Sequence, residues 1–196
     1  MNTVQEEIAA TAARMVVEEG LEYGPAKRRA VKQLGLSARA QLPNNDQVED
    51  AVREYLELFC ADTQPAELQA LRELAAVWME RMSAFRPYLS GAVWRGTATG
   101  LSDIYLQLFC DDSKSAEISL IDHSVRYEVS TVQGFQGEAV DALSILSSCR
   151  GLPQKVLVHL MIYDLDDLRG ALKPDVQGRT YRGDLAALNK LMKGIE

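Results

Sequence analysis

Through residue 86 the apolar positions recur every three to four residues, and beyond Pro87 they begin to alternate. Ile8, Ala12, Met15 and Val16 fall on one face of a helix over Val4–Glu19, Glu6, Glu7, Arg14 and Glu18 face elsewhere, and Gly20 is a fitting stop. Pro25 opens a second helix, Ala26–Leu34, closed by Gly35. After a loop over Leu36–Asn45, Asp46 is the expected cap of a third helix reaching about Cys60, with Val48, Val52, Tyr55, Leu56 and Phe59 on its apolar face. A fourth begins near Pro65 and keeps the period through Leu68, Leu71, Leu74, Ala75 and Met82, until Arg86-Pro87 ends it.

The second half has a different period. Leu89–Arg95 and Asp103–Phe109 predict short strands, joined by a Gly/Thr-rich turn. Asp111-Asp112-Ser113 reads as the start of a helix over Lys114–His123, with strand as the alternative because Glu117–Ile121 is rich in β-branched residues. Arg126–Val132 predicts a strand and Gly134–Gly137 a turn. Val140–Ser148 and Lys155–Tyr163, parted by Arg150–Gln154, predict an antiparallel hairpin. Asp164 caps a short helix over Leu165–Leu172, Pro174–Gly183 is an irregular loop, and Asp184–Met192 is a last helix. The order ββαβββα predicts an α+β domain over residues 87–196, with a mixed or antiparallel sheet, behind an N-terminal helical bundle over residues 1–86.

Composition narrows the function classes. With 196 residues, 47% hydrophobic and 25% charged, the chain can bury a sizeable core. A net charge of −7 argues against a general coat for nucleic acid, which needs basic groups to displace counterions. Cys60, Cys110 and Cys149 are odd in number and in no CxxC arrangement, which predicts reduced thiols rather than a disulfide framework or a zinc knuckle. The first residues carry Glu6 and Glu7 in place of a basic, then apolar, leader. The longest apolar run, Val156–Tyr163, falls far short of the roughly 20 residues of a membrane span. A cytoplasmic protein without a membrane segment is the expectation.

The turn between the first two strands is the most informative stretch. A Gly-Thr pair leaving a buried strand can present N–H groups and a hydroxyl to a phosphate, and Asp103 can hold a divalent cation through oxygen. A metal pair about 3.5–4 Å apart needs more than one carboxylate, and the next position on the same strand face is Tyr105. The same run is also an ordinary hairpin turn. Glu117 and Asp141 are the acids that folding could bring near.

Gly96-Thr97, followed by Ser102-Asp103-Ile104-Tyr105-Leu106, resembles a shortened form of the Gly-Ser and Ser-Asp-x-Asp signature of the polymerase-β-like nucleotidyltransferase superfamily. The resemblance covers about Leu89–Tyr163 at the level of fold. It implies that Gly96, Thr97 and Ser102 face a nucleoside triphosphate, that Asp103 holds Mg2+, and that a third acid comes from a later strand, where this chain has His159. Thr97 stands for the serine and Tyr105 for the second acid. Imidazole is a poor magnesium ligand. The whole chain also resembles a proteobacterial family with this core, through Glu18–Ala30, Leu42–Asn45, Asp164–Arg169 and Gly178-Arg179. No established activity comes with that resemblance.

Outside the turn, Lys27, Arg28, Arg29 and Lys32 make the second helix the most basic segment, able to contact the phosphates of an RNA or to lie as a solvated face paired with Glu18, Glu19 or Glu22. Arg179 and Arg182 are possible anion contacts on a loop. His123 and His159 are the only histidines, and nothing in the sequence marks a serine or cysteine and an acid in support of either. Trp78 and Trp94 fall on core faces. The reading is a nucleotidyltransferase-like protein that binds a nucleotide or regulates, with a degraded metal site. The alternatives are an active metal-dependent transferase with atypical ligands and a non-enzymatic interaction module, with a protein or RNA partner along the helical region.

Overall fold

The computed structural model describes residues 3–174 and 178–194. Residues 175–177, in the loop expected over Pro174–Gly183, lie outside the described residues. The chain divides into two compact units, one made of Met1–Ala66 with Thr97–Leu101 and the other of Glu67–Gly96 with Ser102–Glu196.

In the first unit, α1 (Thr3–Glu19), α2 (Tyr23–Gln33) and α3 (Asn45–Phe59) bury Ile8, Ala12, Met15, Ala26, Ala30, Val48, Val52 and Leu56 against one another. The apolar faces are those the period predicts except at Phe59, which is 69% exposed at the end of α3. The third helix starts earlier than expected: Asn44, not Asp46, is its cap, accepting from the Gln47 N–H while the Gln47 side chain accepts from the Asn44 N–H. That reciprocal pairing satisfies two end donors at once, and a single carboxylate one turn in does not. Helix α2 likewise begins before Pro25, because a proline within the first turn loses no helical hydrogen bond.

The second unit holds most of α4 (Gln64–Arg81) and a six-stranded mixed sheet in the order β3-β4-β5-β2-β1-β6. Its strands are β1 (Tyr88–Ser90), β2 (Ile104–Cys110), β3 (Glu128–Gln133), β4 (Ala139–Ser148), β5 (Lys155–Asp164) and β6 (Arg182–Gly183). β2 and β5 run parallel and the other pairings are antiparallel. Ile104, Leu106 and Leu108 of β2 and Val158, Leu160 and Ile162 of β5 are buried on one face. Trp78 of α4 covers that side, its Nε1 donating to Ser147 Oγ at 3.2 Å. Tyr105, Gln107, His159 and Met161 alternate onto the other face.

The segment 113–122 is helix, α6 (Ser113–Asp122), capped by the Asp112 carboxylate, so helix prevails over the strand alternative. Asp164 caps a short 3-10 turn that runs into α7 (Leu168–Ala171), and Asp184 caps α8 (Leu185–Met192). No helix among the described residues is long and apolar enough to cross a membrane.

The expected strand over Leu89–Arg95 is corrected: β1 stops at Ser90 and α5 (Gly91–Arg95) follows. Gly91 has φ +73°, which turns the chain out of the strand, and its missing side chain admits the Tyr105 ring. The half-buried Arg72 of α4 then holds the carbonyl end of α5, Nε donating to Val93 O at 3.1 Å and Nη2 to Trp94 O at 3.4 Å. Burial pushes its guanidinium below the usual arginine range. Strand β6, absent from the sequence reading, is two residues long and depends on a close approach: a Cβ on Gly183 would lie 2.1 Å from the Trp94 ring. Trp94 is itself fixed by its Nε1 donating to Thr180 O at 2.9 Å.

Gly183→Ala is expected to cost about 1–3 kcal/mol of stability in chemical unfolding. Pairing it with Trp94→Leu recovers part of that loss, since the three atoms nearest the added Cβ all belong to the indole. Arg72→Met, which keeps the bulk but drops both hydrogen bonds, lowers stability by about 1–3 kcal/mol.

Candidate functional site

Three adjacent strands converge on His159. In the parallel pair, Tyr105 of β2 lies opposite His159 of β5, and in the antiparallel pair Ser144 of β4 lies opposite it on the other side. The imidazole is hydrogen-bonded at both nitrogens: Nε2 lies 3.1 Å from Asp103 Oδ2 and Nδ1 lies 2.8 Å from Ser144 Oγ. A carboxylate only accepts, so Nε2 carries the proton toward Asp103, and in the neutral imidazole Nδ1 is then left to accept from the Ser144 hydroxyl. The Tyr105 ring stacks on the imidazole at 4.9 Å and 24°. Gly91 closes the far side of Tyr105, with the position of a Cβ only 3.3 Å from the ring. The imidazole is therefore held at both nitrogens and stacked on one face.

Of these, Tyr105, Ser144 and His159 line an open cleft of about 350 Å³ on the sheet face, together with Ser90, Ser130, Val132, Gln133, Ala142 and Met161. Hydroxyls and an amide dominate its polar lining, and among the described residues no lysine or arginine is part of it. His159, which lines the cleft, keeps 18% of its side chain exposed, and Asp103 behind it keeps 35%.

Asp103 and His159, predicted from different strands, are thus in contact. Gly96 ends α5 with φ +88°, its N–H bonded to Ala92 O at 2.9 Å, and Ser102 leads into Asp103. Thr97 belongs to the helical unit. It is buried, and its hydroxyl donates to Glu49 Oε1 at 2.9 Å. Glu49, only 7% exposed, also accepts from the Tyr23 hydroxyl and lies 3.5 Å from Arg53 Nη2. In that unit Arg29 pairs with Glu19 at 2.5 Å, and Lys27 donates to Asn45 Oδ1 at 2.9 Å and Pro43 O at 3.2 Å. Arg28 and Lys32 are exposed, as is Arg179 in the sheet unit. Arg182 turns inward, Nη1 donating to Ala171 O at 2.7 Å with its guanidinium 4.4 Å from the centre of Phe135. Burial lowers its pKa.

Neither spare acid reaches the cleft. Asp141 pairs across the strands with Ile162 and so lies on the opposite sheet face from His159. Glu117 accepts from Tyr127 at 2.9 Å and Lys114 at 3.1 Å. Magnesium takes about six hard oxygen ligands. At the acid positions this chain offers one carboxylate, a phenol and an imidazole, and no group of three His, Cys, Asp or Glu able to hold a metal occurs among the described residues. The donor set does not fit a magnesium pair.

Ser144 escaped the sequence reading, which found nothing to mark a serine and an acid in support of either histidine, and the structure brings both to His159. The signal was present: with the hairpin strands flush at Ser148 and Lys155, counting back places Ser144 opposite His159. Asp103 has no comparable signal, since β2 and β5 are 56 residues apart at this contact. The three cysteines are free thiols, Cys149 buried and the others half-buried.

No family model matches the sequence, and no curated protein matches it. Among solved structures the chain is similar to the Cid1 poly(U) polymerase with MgGTP bound, at 15% identity and a TM-score of 0.33, over 48% of this chain and 32% of that one. A second Cid1 structure, described for its RNA terminal uridylyl transferase activity, gives 18% identity and a TM-score of 0.28, over 56% of this chain and 30% of that one. The chain spans about a third of the length of these neighbours. At such values the resemblance is distant and confined to fold.

Replacing Glu49 by Ala takes a buried acceptor from the Thr97 and Tyr23 hydroxyls and is expected to cost about 1–3 kcal/mol in urea unfolding. Glu49→Gln, which keeps an acceptor oxygen, costs less. Equal losses in the two variants would show that the carboxylate charge, not the hydrogen bonds, holds this buried cluster.

Proposed function

We propose that the chain is a nucleotide-binding protein of nucleotidyltransferase-like architecture whose strands no longer hold a cation pair. The observation that carries this reading is the joining of Asp103, Tyr105 and His159 into one side-chain assembly, where the superfamily signature calls for carboxylates. Asp103 meets an imidazole, a phenol stands in for the second acid, and each is packed in place. One carboxylate is too few to hold two cations, and Tyr105 and His159 floor a cleft.

The cleft suits the base and ribose of a nucleotide better than its phosphates. Ser90, Ser130, Ser144 and Gln133 offer neutral donors and acceptors, Met161 and Val132 an apolar wall, and the lining holds no cation to offset phosphate charge. Gly96 and Ser102, in the sheet unit, remain the proposed phosphate contacts. Binding or regulation follows from such a site more directly than transfer does.

ATP, GTP, CTP or UTP is expected to raise the melting temperature to a similar extent with and without magnesium. Ser130→Trp, at an exposed position on β3 that lines the cleft, abolishes the rise without lowering the melting temperature of the free protein. Absence of a shift with all four nucleotides overturns the reading in favour of an interaction module. Magnesium-dependent transfer of label from an α-labelled triphosphate to RNA or protein overturns it in favour of an active transferase.

A further inference from the structure

Ser144, His159 and Asp103 form a hydrogen-bonded row across β4, β5 and β2, in the order hydroxyl, imidazole, carboxylate. We infer that Ser144 is an activated nucleophile, with His159 as its proton acceptor and Asp103 as the residue that positions His159, and that it acts on small uncharged acyl esters in the sheet cleft. This goes beyond nucleotide binding, and adds the Ser144–His159 hydrogen bond to the contact and cleft on which that reading also draws.

Geometry comes first. The Oγ–Nδ1 distance of 2.8 Å is within proton-transfer reach, and in the neutral imidazole, with its proton on Nε2 toward Asp103, Nδ1 is the free acceptor. A serine whose hydroxyl only stitches two strands needs no carboxylate behind its partner. Here the imidazole is fixed at its second nitrogen and stacked on Tyr105, so its lone pair keeps its aim at Ser144. All three residues sit on or at the mouth of paired strands, the rigid part of the unit, and Ser144 opens onto the cleft.

The cleft sets the substrate class. Its volume of about 350 Å³ admits a small acyl group with its alcohol, and its lining of hydroxyls, an amide and apolar side chains favours a neutral molecule. Ser130 and Gln133 line the same space and supply neutral donors for the oxygen that becomes negative during attack. As the Ser144 Oγ bonds to the acyl carbon, its proton passes to His159 Nδ1. The bond from that carbon to the alcohol oxygen then breaks, and the alcohol leaves with the proton. Water repeats the sequence on the acyl-serine, releasing the carboxylic acid and restoring Ser144.

The test uses the full chain and a serine-reactive alkyl fluorophosphonate, with the modified residue located by peptide mass spectrometry. Ser144 is expected to carry the adduct, and His159→Gln is expected to slow its formation at least tenfold while circular dichroism is unchanged. p-Nitrophenyl acetate is expected to give a burst of p-nitrophenolate that Ser144→Ala abolishes. Nitrogen-15 spectra of the imidazole report the positioning role: His159 protonated at Nε2 in the parent and a mixture of tautomers in Asp103→Asn. No adduct at Ser144, an adduct rate unchanged in His159→Gln, or a parent imidazole protonated at Nδ1 would each overturn the inference. None of these readouts depends on a nucleotide, so failure here leaves the melting-temperature test of nucleotide binding intact.

Discussion

The parallel pairing of β2 with β5 sets Asp103 and Tyr105 against His159 on the sheet face that carries the cleft. Its register runs from Ile104 opposite Val158 to Cys110 opposite Asp164, and it is held by the apolar residues beneath it. Leu106, Leu108, Val158 and Leu160 are wholly buried on the covered face, so a slip of one residue would exchange them with Gln107, His159 and Met161. Burying one large aliphatic side chain is worth about 1.5–3 kcal/mol. The register that sets Asp103 beside His159 is therefore fixed by residues that take no part in the contact.

On the open face the same logic yields a polar surface with a purpose. Four polar side chains in hydrogen-bonding or stacking contact, Asp103, Ser144, His159 and Tyr105, occupy positions where a third layer of structure would demand apolar ones. Their mutual contacts lower the cost of leaving the face open, because each polar group meets a partner before a ligand arrives. Gly91 is part of this economy: its φ of +73° ends β1 early, and its bare Cα lets the Tyr105 ring stand upright against His159. Arg72 fixes the turn that follows by binding two carbonyls at the end of α5. The local chain path around β1 thus serves the stack on β5.

Thr97 and Glu49 show how one motif can carry two physical roles. Thr97 reads in the sequence as a hydroxyl beside a glycine, suited to phosphate, yet its side chain joins a buried cluster with Glu49 in the helical unit. Glu49 sits on the predicted apolar side of α3, one residue after Val48, and its burial is made possible by three polar partners. An acid at a core-facing position is a signal that a sequence reader can register without being able to name the partners.

The sequence alone determined what local forces decide. Apolar period and end residues specified the helices, and alternation with the Arg150–Gln154 turn specified the β4–β5 hairpin and, by counting, the Ser144–His159 pairing. Propensity erred where a longer-range contact overrode it: at Gly91, where the Tyr105 ring and Arg72 set the backbone, and at Gly183, where Trp94 makes a two-residue strand possible. The parallel partnership of β2 and β5 was left to the tertiary structure, because the helix, turn and hairpin between them allow more than one strand order. Asp103 meets His159 only once that order is chosen, and the burial of the sheet's other face is what chooses it.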